Sequence, residues 1–261
     1  QTFYAIIINY MVACTTGLLL FNQRLSLNEM VQKPYFWGSA LLGVLFISIF
    51  YLMAITAQKA GVSVVSVATK MSLVVPVVFG LFYFNEALGP YKAIGVLLAL
   101  AAVYFSAMKQ NGIKVRPRTF LLPIGVFLGS GIIDASINFF RETRVPESEF
   151  PLFSALTFAF AALSGILFIG VRSVKVPLRP NLRNVLGGII LGIPNFFSIY
   201  FLLKALGNNH LNSASVFTIN NVAIVLFSTL LGITLFKERM TPRNWLGLGL
   251  AVASIVLVAL F

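Results

Sequence analysis

Residues 62–84 read VSVVSVATKMSLVVPVVFGLFYF. The run matches the length of about 20 apolar residues that a bilayer core requires of a helix. It carries one cation, Lys70, near its middle, and Pro76 beyond it. A charge at that depth is costly in hydrocarbon, so Lys70 is expected to face protein or a water-filled cavity. Pro76 has no amide donor, which predicts a kink and a freed carbonyl at Ser72. Ser63, Ser66 and Lys70 are spaced three and four apart and share one helix face. The plainer alternative is a lysine that snorkels to a boundary or pairs structurally.

Composition extends this reading to the whole chain. Of 261 residues, 59% are hydrophobic and 10% are charged, against about 25% charged in a soluble domain. The chain therefore reads as an all-α polytopic membrane protein. Its net charge of +12 does not point to nucleic acid, because the cations sit between apolar runs as topology-setting loop charges. No zinc spacing, phosphate-binding glycine loop or dinucleotide fingerprint occurs, so neither a cofactor nor a metal is expected. The single cysteine, Cys14, lies in an apolar run and reads as a small packing residue.

Nine stretches have spanning length: 2–21, 36–58, 62–84, 91–108, 120–140, 151–171, 184–206, 212–236 and 244–261. A tight turn at residues 59–61 separates the second from the third. Polar links at 22–35, 109–119, 141–150 and 172–183 are too short to be separate domains. Inside the spans, Ser130, Asp134, Asn138 and Arg141 form one continuous face of the fifth. Asn9 lies in the first span, Pro194 and Asn195 interrupt the seventh, and Asn220 and Asn221 are adjacent in the eighth. A lone amide in a membrane ordinarily bonds a neighbouring helix. Lys70 and Asp134 are harder to assign to packing because they ionise. Taking the third and fifth spans from the same side, their Cα depths differ by roughly 9 Å at the rise of a helix, a gap that a lysine stem nearly covers.

The two halves echo each other. Residues 46–52, FISIFYL, return 150 positions later as FFSIYFL. Gly80, Phe84, Glu86, Pro90 and Gly95 match Gly232, Phe236, Glu238, Pro242 and Gly247. The shared E-x3-P-x4-G pattern describes a helix ending in Glu, a turn, and a new helix opened by Pro and packed through Gly. The offset of five helices is odd, so the halves are expected to be inverted. That places substrate between them near the midplane, as in secondary transporters. The first repeat is expected at residues 1–108 with four helices, a basic loop at 109–119, and the second repeat at 120–261 with five. A further helix before Gln1 is expected.

On the Glu86–Pro90–Gly95 and Glu238–Pro242–Gly247 segments, the chain resembles the EamA-type ten-helix transporters of the drug/metabolite transporter superfamily. The resemblance covers nearly the whole chain. It implies two inverted five-helix repeats, a central cavity, and export or import of small metabolites by alternating access, with a bacterial inner membrane the expected setting and metabolite export among the expected roles. It does not imply a role for Lys70 or Asp134, which are not general family features.

The residues themselves suggest a carrier for a small polar or amphipathic metabolite, most concretely an amino acid-like zwitterion. Lys70 would meet a carboxylate, and Asp134 an amine or a coupling proton. Asn138, Asn220, Asn221, Asn9 and Ser66 complete the candidate substrate site. The expected partners are the substrate, the lipid bilayer and a coupling proton, with no nucleic acid. Oligomeric state stays open, since small-residue faces such as Gly125/Gly129 and Gly187/Gly188 suit packing within or between chains. An enzyme is not expected: the one histidine, His210, sits in a polar turn without a partner motif. The alternative is a passive channel or a non-transporting structural subunit. Twelve Lys and Arg lie on the side shared by Gln1, six on the other. The positive-inside rule puts the former in the cytoplasm, whereas the family resemblance implies cytoplasmic termini for the complete ten-helix chain.

Overall fold

A computed structural model describes residues 2–23, 25–86, 88–107, 121–173, 182–208, 211–236 and 241–260. The basic loop 109–119, His210 and Glu238 lie outside them. The described residues are helical: α1 Thr2–Phe21, α2 Leu27–Val31, α3 Phe36–Ala60, α4 Val62–Met71, α5 Val74–Tyr83, α6 Pro90–Ala107, α7 Leu121–Thr143, α8 Phe150–Ser173, α9 Leu182–Leu206, α10 Ser213–Phe236 and α11 Pro242–Leu260. Among them, seven stretches are long and apolar enough to cross a bilayer, one of which joins α4 and α5 as Val64–Tyr83. The two remaining expected spans are shorter apolar helices, Pro90–Phe105 and Pro242–Val258. Large apolar side chains point outward, such as Leu19 at 79% and Phe82 at 83% exposure. Lipid accepts such a surface; water penalises it. The chain is an integral membrane protein whose regular structure, among the described residues, is helical.

The expected third span is two helices. Gly61, at φ 101°, separates α3 from α4, a conformation that a side chain would strain. α4 ends at Met71, and Ser72 and Leu73 form a turn before α5. Two features act together there. Pro76 removes the donor that would bond Ser72, and the Ser72 hydroxyl takes the Thr69 carbonyl at 2.7 Å, competing with the backbone ladder. The Ser72 carbonyl is not freed as the sequence suggested. It accepts the Val75 amide at 2.9 Å in a tighter i→i+3 bond. Pro194 behaves differently: α9 runs unbroken through it, correcting the expected interruption. One missing bond is tolerated there, with the proline exposed at the helix surface.

The chain divides into two compact units, Gln1–Tyr51 with Ser136–Gly207, and Leu52–Ala135 with Asn208–Phe261. Each takes helices from both halves of the sequence. In the first unit, α9 meets α1 through Gly188 and Gly192. A Cβ on Gly188 would come within 2.7 Å of Ile8 Cβ, and one on Gly192 within 2.5 Å of Val12 Cβ. Gly188 thus packs within the chain, whereas Gly187 has nothing within 4 Å of its Cβ position. The core of this unit is aromatic, with Tyr10 against Phe50 and Phe158, and Phe46 against Phe158.

In the second unit α6 and α11 pack closest. Gly95 abuts Val258, and the buried Ser254 hydroxyl donates to the Gly95 carbonyl at 2.7 Å. Leu73, Val77, Ala99, Ala102, Val222 and Ala251 fill the core beside them. Small residues let backbones approach where burial of apolar area gives no advantage over lipid.

Candidate functional site

The second unit brings together the two ionisable residues singled out in the spans. Lys70 occupies the last turn of α4, and Asp134 lies on α7. Each side chain is half-buried, and their helices meet at the α4–α5 turn. The closeness has a local cause. Gly131, one turn before Asp134, lets α7 lie directly on the α4–α5 turn. A Cβ there would come within 2.5 Å of Val75 Cβ and 3.0 Å of the Ser72 carbonyl oxygen. The break also places a helix C-terminus, the negative end of a helix dipole, beside Lys70.

Ser66 is exposed one turn before Lys70 on the same face. On α10, Asn220 is exposed while Asn221 is buried, because adjacent helix residues point about 100° apart. Asn221 Nδ2 donates to its own helix at the Phe217 carbonyl, 2.9 Å. The fully buried Thr218 hydroxyl has no partner among the described residues. Its sequence signal is weak, since a threonine in a helix usually bonds the preceding turn.

Glu86, carried here by the E-x3-P-x4-G pattern, has an evident structural role. Asn85 adopts a left-handed conformation at φ 52° after α5. That turns the Glu86 carboxylate to the start of α10, where it accepts from the Ser213 hydroxyl at 2.7 Å and the Ser213 amide at 3.4 Å. An anion at a helix N-terminus meets both the unpaired amides and the dipole.

In the first unit, Asn9 accepts from Asn195 Nδ2 at 2.9 Å, joining α1 to α9. Asn138 is fully buried; its Oδ1 accepts from Arg141 Nη2 at 3.3 Å while its Nδ2 has no partner among the described residues. Arg141 also pairs with Glu142. A polar cluster not singled out in the sequence joins Lys33 and Tyr35 to Glu149 at 2.5 and 2.6 Å. Burial, and then the Glu149 carboxylate, push the Tyr35 phenol well above its ordinary range. Among the described residues, no group of three or more His, Cys, Asp or Glu could hold a metal ion.

Comparison with known proteins agrees with this architecture. Residues 121–260 match the EamA-like transporter family. An uncharacterized protein of Haemophilus influenzae is 30% identical over 262 residues, covering 96% of this chain and 86% of that protein. A protein crystal structure superposes with a TM-score of 0.75 at 17% identity, over 100% of this chain and 89% of its own. At that identity the likeness speaks for the fold alone.

Proposed function

The chain belongs to the EamA-like transporter family, and we propose that it is a carrier moving a small polar or amphipathic metabolite, amino acid-like, by alternating access around a central cavity. The observation that carries the reading is an ionisable Lys70 at a helix break within the span Val64–Tyr83, with α7, which bears Asp134, packed on that break through Gly131. An internal charge is expensive in a membrane and is retained where it contacts substrate or coupling ions. Lys70 meets the substrate carboxylate. Asp134 meets its amine or takes the coupling proton. Asn138, Asn220, Asn221, Asn9 and Ser66 are the further polar contacts in this reading. Two inverted five-helix repeats in a bacterial inner membrane are its setting, with residues 1–108 and 120–261 as the repeats.

A thermal-shift screen of the purified protein against amino acids, amines and organic anions selects the ligand, since binding stabilises the native state by mass action. Counterflow of that ligand in proteoliposomes then tests the carrier. The expected result is accelerated exchange driven by internal substrate, reduced at least tenfold in Lys70→Ala. Saturable flux without counterflow would refute a reorienting site and favour a passive channel.

A further inference from the structure

The Asn9–Asn195 pair of the first unit lies deep and is only partly used. Asn195 stands about 20 Å along α9 from Leu182 and about 16 Å from Leu206. Gly192, one turn earlier, lets α9 approach α1 until its Cβ position is 2.8 Å from the Asn9 carbonyl oxygen. Asn195 Nδ2 then reaches Asn9 Oδ1 at 2.9 Å. That bond fastens the helices, yet neither side chain makes another among the described residues, and both are half-buried. The Asn9 amide protons and the Asn195 amide oxygen are left over.

The surface of α9 around the pair is divided. At about 100° per residue, Pro194, Asn195, Ser198 and Ala205 share one side, with Leu191 and Leu202 the large residues among them. Leu186, Ile190, Ile193, Phe197 and Phe201 share another. The second side suits lipid and the first does not. Pro194 has no amide proton for the Ile190 carbonyl. The exposed Ser198 hydroxyl donates to the Asn195 backbone carbonyl at 2.8 Å, so only its lone pairs are left to the surroundings. Hydrocarbon satisfies none of these groups, and unpaired polar groups at membrane depth persist where protein or water meets them.

We propose that this side of α9, with Asn9, is the wall of an aqueous solute path, and that the Asn9–Asn195 pair binds an uncharged group that both donates and accepts, of which a carboxamide is the simplest. The proposal adds Asn195 and Ser198 to the contacts of the carrier reading and rests on that reading for the solute that travels there. Its test uses no substrate, so the two fail separately.

Cys14 is the one cysteine of the chain, so Cys14→Ala gives a thiol-free background. Ser198→Cys, Ile193→Cys and Phe201→Cys are compared in it. Ile193 and Phe201 bracket Ser198 in depth and are 48% and 59% exposed, so they differ from it in the side of the helix and not in burial. In proteoliposomes, with an anionic, membrane-impermeant methanethiosulfonate on both sides, Ser198→Cys is expected to be labelled about tenfold faster than the other two, since lipid shields a thiol from a charged reagent. Equal rates overturn the aqueous wall while leaving the carrier reading to counterflow. Iodoacetamide then probes the pair, because it carries a carboxamide. Its rate at Ser198→Cys, divided by that of the anionic reagent, is expected to fall several-fold when Asn195→Leu is added, and likewise with Asn9→Ala, which leaves α9 unaltered. An unchanged ratio in either variant overturns the binding role of the pair.

Discussion

Gly131→Ala probes the contact on which the candidate site depends. The added Cβ would lie 2.5 Å from both Cβ and Cγ2 of Val75 and 3.0 Å from the Ser72 carbonyl oxygen, against an ordinary contact of 3.4–4 Å. Val75 Cβ is fixed by the backbone, so no rotamer change relieves the overlap. α7 and the α4–α5 turn must separate by about 1 Å, and overpacking of that kind costs about 1–3 kcal/mol. Alanine returns about 1 kcal/mol through helix propensity. The expected net loss is therefore about 1 kcal/mol, from opposing terms of about 2 and 1. Gly187→Ala is the matched control: it lies in α9 with nothing within 4 Å of its Cβ position. It should be neutral or stabilising by up to about 1 kcal/mol. Reversible unfolding in mixed micelles, by titrating sodium dodecyl sulfate, reads both. Equal stability of the two alanine variants would refute the close packing of α7 on the turn.

Glu86→Ala is expected to destabilise by about 1.5–3 kcal/mol, the range for hydrogen bonds to a charged group, and Glu86→Gln by less, since an amide oxygen still accepts from Ser213. The same micellar unfolding checks the order, and a Gln variant as damaged as the Ala variant would contradict it. A double-mutant cycle on Asn9→Ala and Asn195→Ala should give a coupling of about 0.6 kcal/mol, typical of interhelical hydrogen bonds in membranes. Strict additivity of the two losses would contradict the bond seen between α1 and α9.

Much of this was legible before any coordinates. The spans follow from a solvent constraint: a bilayer demands about 20 apolar residues whatever they pack against. Lys70 and Asp134 stand out for the same reason, as ionisable groups that hydrocarbon rejects. Proline was less informative. Pro76 and Pro194 are alike in sequence, yet one coincides with a break and the other sits in a continuous helix. The difference lies in the Ser72 hydroxyl bond and in Gly131, which leaves room for the turn. The amides were indistinguishable in the same way. Asn221 bonds its own helix, Asn9 meets a residue 186 positions away, and the Asn138 amide donor has no partner among the described residues.

Sequence alone determined that the chain is a polytopic helical membrane protein and which ionisable residues are unusual within its apolar runs. Each of those conclusions depends on transfer between water and hydrocarbon, a property of a residue and its near neighbours. Tertiary structure decided that Glu86 caps α10, that Gly188 packs on α1 and that α7 rests on the α4–α5 turn. Those outcomes depend on contacts of a few ångströms between residues far apart in the chain, where a single absent Cβ or a redirected hydroxyl determines which groups meet.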